Sequence, residues 1–329
     1  MRVAQVSTFG ISPPKIREHL QQMQRAPPQA AKLAGSAEGD DGMHLEAALA
    51  QWAASGTTVL GAVDYLDRLK GVAPKLLAWE ALLRDYPRYR TGFVLVQVCV
   101  GARNRIQIQT APLVEGELRR VVERINAAFP GAVHFEVRAQ MLASERLRLW
   151  QASHVFVATA LRESINVNPL EFVLARHLGQ RPPGVLVLTE FTGFARVLNG
   201  CLAVNPNSLT EIVETLDAAL SMPPEEAAAR AAKDLHHIQK CTLDAFARRF
   251  VEELKSTATK RACARTQPRA PLPTRKPPHG AGVRARGALF TQPHNTADRA
   301  PRRRGEELRP TATRARLRHA PPRPTLTLL

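Results

Sequence analysis

Short strands that are apolar almost from end to end constrain this chain more than any other feature. "GFVLVQVCV" at 92–100, "HVFVATA" at 154–160 and "PGVLVLTEF" at 183–191 lack the polar alternation of a half-wet strand, so both faces of each must be covered. "TTVLGAVDYL" at 57–66 and "AVHFEVR" at 132–138 are further strands. Between them lie segments with helical apolar spacing: "APKLLAWEALLRDY", "LVEGELRRVVERINAAF", "ASERLRLWQAS" and "PLEFVLARHLG". "SLTEIVETLDAALSM" follows, with Ser208 as its N-cap, and "PEEAAARAAKDLHHIQKCTLDAFARRFVEELK" is expected as the last ordered element. Buried strands alternating with helices specify an α/β fold, a doubly wound parallel sheet. Ligands of such sheets bind beyond the carboxyl ends of the strands, where helix N-termini present free N–H groups to anions.

Charge divides the chain. The net charge is +17, yet residues 260–329 hold 17 Lys and Arg against 3 Asp and Glu, a net of +14. That leaves 29 against 26, or +3, for residues 1–259. Residues 257–329 are rich in Pro and Arg without apolar periodicity, so they are expected to be a disordered tail behind a domain spanning 1–256. Residues 25–45 are expected to be a flexible loop, for the same lack of periodicity.

Cys99, Cys201, Cys241 and Cys263 are far apart and have neither metal-ligand nor disulfide-framework spacing. No apolar run approaches the roughly 18–20 residues of a membrane span, and the start has no leader pattern. The chain is therefore expected to be soluble and cytoplasmic, with no metal and no membrane association. Neither GxGxxG nor GxxxxGK[ST] is present.

The polar stretch Arg162, Glu163, Ser164, Ile165, Asn166, Val167 ends a buried strand and precedes a helix. Two readings stand. The helix aims its first amides at an anion, or Glu163, Ser164 and Asn166 merely cap it. Asp64 and Asp67 read as turn formers, His236 and His237 as solvated, and Trp52, Trp79 and Trp150 as packing residues.

Four stretches, "VDYLDRLKG" at 63–71, "LRESINVNPLEF" at 161–172, "LTEFTGFARVLNGCLAVNP" at 188–206 and "ALSMPPEEAAAR" at 219–230, resemble trehalose-6-phosphate synthases. "FGISPPKIREHL", "LVQVCVGAR", "VVERINAAF" and "TLDAFARRFVEEL" match in the same order, so the resemblance covers roughly residues 9–255. These enzymes are retaining glycosyltransferases of the two-domain GT-B fold. The resemblance implies the Rossmann-like C-terminal half of that fold, with the other domain expected to be missing. It also implies glucosyl transfer from UDP-glucose to glucose 6-phosphate, with UDP-glucose a substrate and no cofactor. By resemblance Lys70 binds the donor diphosphate, Glu171 holds the ribose hydroxyls, and 163–167 offer amides to the diphosphate and the Glu163 carboxylate to the donor glucose. Lys70 and Glu163 are then the catalytic pair, and Arg103 reaches the acceptor phosphate.

Departures from the family pattern fall on the same residues. Where the family has "VDRLDYxKG", Tyr65 occupies the arginine position and Arg68 the tyrosine position, which leaves Arg68 as the substitute donor-binding guanidinium. Where the family has "LRDGMNLV", Glu163 is one methylene longer than the aspartate and Ser164 replaces a glycine, while Asn166 and Glu171 match. An incomplete site of this kind suggests a chain that is inactive or nearly so alone. Two alternatives accompany it: a noncatalytic regulatory subunit whose partner is a full-length synthase, and nucleic-acid or anionic-surface binding through "RRRG" and "RARLRH" in the tail, the latter disfavoured.

Overall fold

The computed structural model describes residues 10–25, 42–101, 105–163 and 165–266. Six strands form one sheet: β1 (Thr58–Tyr65), β2 (Phe93–Val100), β3 (Val133–Arg138), β4 (Val155–Ala158), β5 (Val185–Thr189) and β6 (Leu202–Val204). All five pairings are parallel and the order is β3-β2-β1-β4-β5-β6, the doubly wound arrangement expected from the sequence. β1 aligns with β2 over its whole length, Thr58 opposite Phe93 through Tyr65 opposite Val100. It meets β4 at only Leu60–Val155 and Gly61–Phe156. The strand order reverses between β1 and β4, and a cleft opens there in such sheets.

Successive strand residues feed opposite cores. Leu60, Leu95, Val157 and Val187 pack with Leu76, Trp79, Leu82, Ile125 and Leu216 from α3 (Val72–Asp85), α4 (Arg105–Ala128) and α7 (Leu209–Leu220). Val59, Val94, Phe156 and Leu186 pack with Leu20, Leu49, Trp150, Phe172 and Ile238 from α1 (Pro13–Arg25), α2 (Gly42–Ser55), α5 (Ala143–Ala152), α6 (Asn168–Leu178) and α8 (Pro224–Lys240). Trp79 and Trp150 are fully buried packing residues, as expected, and the Trp79 indole donates to the Ala132 carbonyl at 3.0 Å. Ser208 caps α7 by accepting from the Glu211 N–H. No helix among the described residues is long and apolar enough to cross a membrane.

Several boundaries differ from the sequence reading. The last ordered element is two helices, α8 and α9 (Leu243–Thr266), because Thr242 starts a new helix by accepting from the Ala245 N–H at 3.2 Å. The boundary expected after residue 256 falls inside α9, since no Pro or Gly interrupts the chain before Pro268. Both ends of the loop expected at 25–45 are helical. Arg25 closes α1 and α2 begins at Gly42, where Leu45 and Leu49 supply a buried face, while 26–41 lie outside the described residues. The remainder of the expected disordered tail, 267–329, lies outside them too.

Candidate functional site

The turn after β1 is clamped to the end of β4. Asp67 caps a 3-10 turn, Arg68–Lys70, by accepting from the Leu69 N–H at 2.9 Å. Gly71 then takes φ 64°, a conformation that L side chains rarely adopt, and a Cβ there would lie 1.9 Å from the Thr159 carbonyl oxygen. The Thr159 hydroxyl donates to the Gly71 carbonyl at 2.7 Å, and the Leu161 N–H to that of Leu69 at 2.8 Å. These bonds bring Lys70 and Glu163, 93 residues apart, into an ion pair. Asn166 donates to the other Glu163 oxygen at 3.0 Å, so both oxygens of this buried carboxylate are engaged.

The junction at 163–168 resolves the two readings of the polar stretch. Val167 is the N-cap of α6 and makes no side-chain cap bond. The first amides of the helix are already taken: Asn168 N–H donates to Asn166 Oδ1 at 3.0 Å, Pro169 has none, and the Leu170 and Glu171 N–H groups both turn back to the Val167 carbonyl. Asn166 is therefore a capping residue, whereas Glu163 is an ion-pair partner instead. Among the described residues, the N–H groups of Ile165, Asn166 and Val167 have no acceptor. The unsatisfied N–H groups therefore lie in this loop, where the resemblance implies amide donors, and not in the first turn of the helix. Ser164 lies outside the described residues.

Around this junction is a cavity of about 460 Å³ lined by Tyr65, Lys70, Arg146, Glu163 and Val167 among others, at the carboxyl edge of β1 and β2. The Lys70 ammonium lies 5.5 Å from the centre of the Tyr65 ring, so the phenol that stands in the family's arginine position offers a π face and no charge. Glu171, in the first turn of α6, is buried and bonded at both oxygens to Arg146, Nε to Oε2 at 2.6 Å and Nη2 to Oε1 at 2.9 Å. Burial disfavours the Arg146 charge, but the Glu171 contact more than offsets it and the guanidinium pKa is raised. Arg146 is the one cation of this cavity that sequence reasoning missed, because its contact to residue 171 is non-local and "ERLRLW" carries a second arginine with no sign to distinguish them.

One expected residue is not brought to the cavity. Arg68 turns outward onto α4, bonded to Glu117 at 2.6 Å, because the 3-10 turn aims it away from Lys70. Arg103 lies outside the described residues. Beneath the floor is a polar group that sequence reasoning missed. The fully buried Lys75 donates to Asp64 at 2.7 Å and to Gln97 at 2.9 Å. Asp64 is thus a buried ion-pair partner on β1 and not a turn former, while Asp67 is the turn former expected. Cys99, next to this group, has its thiol pKa pushed up to about 12 by burial and by the nearby Asp64 charge.

Comparison with known proteins gives a consistent picture. The profile of Glycosyltransferase family 20 matches residues 33–256. The UDP-forming alpha,alpha-trehalose-phosphate synthase A of Dictyostelium discoideum is 30% identical over 208 residues, 62% of this chain and 28% of that protein. The UDP-forming synthase 2 of Aspergillus fumigatus is 34% identical over 204 residues, 60% of this chain and 41% of that protein. This chain therefore spans less than half the length of these two relatives. A Burkholderia xenovorans synthase solved with glucose-6-phosphate superposes with TM-score 0.62 at 25% identity, covering 76% of this chain and 51% of that one. An Escherichia coli structure with UDP-2-fluoro glucose superposes with TM-score 0.61 at 26% identity, covering 75% and 50%. A profile match over more than half of the chain, on a doubly wound sheet shared with these synthases, shows that the chain belongs to glycosyltransferase family 20 as a domain of the trehalose-6-phosphate synthase type.

Proposed function

We propose that the cavity at the β1–β4 switch point binds the nucleoside diphosphate of a UDP-sugar, and that the chain serves the donor side of glucosyl transfer from UDP-glucose to glucose 6-phosphate. The reading rests above all on one cavity lined by Lys70 and by Ile165, Asn166 and Val167, whose N–H groups have no acceptor among the described residues. Backbone donors of this kind and an ammonium are what a diphosphate requires. Lys70 would neutralise charge growing on the leaving UDP, and Glu163, which orients Lys70, would meet the donor glucose. Glu171 would take the ribose hydroxyls with the lone pairs that Arg146 leaves open, and Arg103 the acceptor phosphate. With Tyr65 in the arginine position and Lys70 already paired, UDP affinity should be weak, on the order of 0.1–1 mM. Calorimetry with UDP and uridine tests the reading: UDP binds, and Lys70→Ala weakens UDP but leaves uridine unchanged. Absence of UDP binding at several millimolar, or equal loss for both ligands, overturns it.

A second reading is a noncatalytic subunit docking on a full-length synthase in the cytoplasm. It is favoured by α9, on which Phe250, Val251 and Leu254 are exposed, each by 45% or more. Co-purification with a complete synthase that is lost on replacing Phe250 and Leu254 by Ser supports it. A chain that elutes alone at every concentration and changes no synthase rate excludes it.

A further inference from the structure

We propose that a second cavity, on the sheet edge opposite the UDP-sugar pocket, binds a small phosphorylated organic anion. It lies where β1 and β4 begin, between α2 and α5, and encloses about 460 Å³. Among the described residues its wall carries three guanidiniums, Arg148, Arg176 and Arg181, against one carboxylate, Glu46, which Arg148 takes. Among the described residues Arg176 and Arg181 have no carboxylate partner.

Arg176 shows why this matters. The residue is 4% exposed, and its donors reach only backbone carbonyls: Nε to Pro182 at 2.7 Å, Nη1 to Gln151 at 3.1 Å and Nη1 also to Ser153. Nη2 has no acceptor among the described residues. Burial, and then the like charge of Arg181, push the Arg176 pKa down to about 10. A buried cation facing a second cation is an arrangement that an anion relieves, and guanidiniums bind phosphoryl oxygens with paired N–H donors. A further donor comes from His154. Its Nδ1 accepts from the Val59 N–H at 3.1 Å, so the neutral ring carries its proton on Nε2. The cavity is roomier than a lone phosphate needs, and Trp52 on its wall supplies an aromatic face for an organic group.

The three indole N–H signals in a nitrogen–proton correlation spectrum provide the test, since Trp52 lines the cavity while Trp79 and Trp150 are buried and report the fold. Phenyl phosphate is titrated at constant ionic strength. The expected result is a saturable shift of the Trp52 signal, retained in Lys70→Ala and weakened at least tenfold in Arg181→Ala, whose exposed side chain makes no bond that holds the fold. No saturable shift, or equal affinity in Arg181→Ala, overturns the proposal.

Discussion

Arg146 grips both carboxylate oxygens of Glu171, so the acid that would meet a ribose is a buried ion-pair partner before any ligand arrives. Removing the guanidinium strands that acid. Arg146→Ala should cost about 3 kcal/mol of stability, measured as a lower urea midpoint with unchanged slope. Glu171→Ala should cost less, because Arg146 retains partial access to water, with 22% of its side chain exposed.

Loss of Glu171 should be felt by the nucleoside itself. Glu171→Ala removes charge-assisted hydrogen bonds worth about 1.5–3 kcal/mol, a tenfold to hundredfold loss. Calorimetry should show that loss for uridine and UDP alike, in contrast to the phosphate-selective effect of Lys70→Ala.

Lys75 is a buried cation held by Asp64 and Gln97. Lys75→Met should destabilise by about 3–5 kcal/mol by leaving Asp64 unpaired, whereas the double change Lys75→Met with Asp64→Leu should recover most of it. Chemical denaturation of the three proteins checks this coupling.

Gly71 and Gly56 have similar backbone angles, φ 64° and 69°, but different surroundings. A Cβ at Gly71 would meet the Thr159 carbonyl, while at Gly56 nothing lies within 4 Å. Gly56→Ala should cost only the left-handed strain, about 1–2 kcal/mol. Gly71→Ala should cost more and also weaken UDP binding, since the clash moves the turn that carries Lys70. Thermal melts and UDP titrations on both variants separate the two effects.

Burial raises the Asp234 pKa from 3.8 to about 6, against the Gly200 N–H that it accepts at 2.7 Å. The folded state therefore holds this proton more tightly than the unfolded one. Its contribution to stability is fully present below pH 3.8 and falls as pH rises toward about 6. Asp234→Asn should abolish this fall, visible as a flatter plot of urea midpoint against pH.

The buried strands announced the sheet because an apolar run with no wet face has few other homes. β6 did not, since three residues carry no period, and the break at Thr242 was hidden in a continuous helical pattern although a threonine followed by "LDA" is a capping signal. Lys70, Glu163, Asn166 and Glu171 were legible as a set only through resemblance to a family. Their junction is assembled from two distant segments, and no spacing rule connects them. Lys75 and Arg146 were invisible for the same reason: burial of a charge is decided by its partner, and Asp64 and Glu171 lie on other elements. The direction of Arg68 was likewise set by a 3-10 turn that a regular helical spacing would not give.

The two-position ladder between β1 and β4 makes the sheet a pair of three-stranded halves meeting along a seam. Lys70 belongs to one half and Glu163 to the other, so the pocket cannot exist in either fragment alone and comes into being only when the seam closes. Joining Lys70 to Glu163 closes a loop of 93 residues, which adds an entropic cost to assembling the pocket. A diphosphate resting across the junction would act as a rivet. Its affinity would then read out how well the two segments are joined at the pocket.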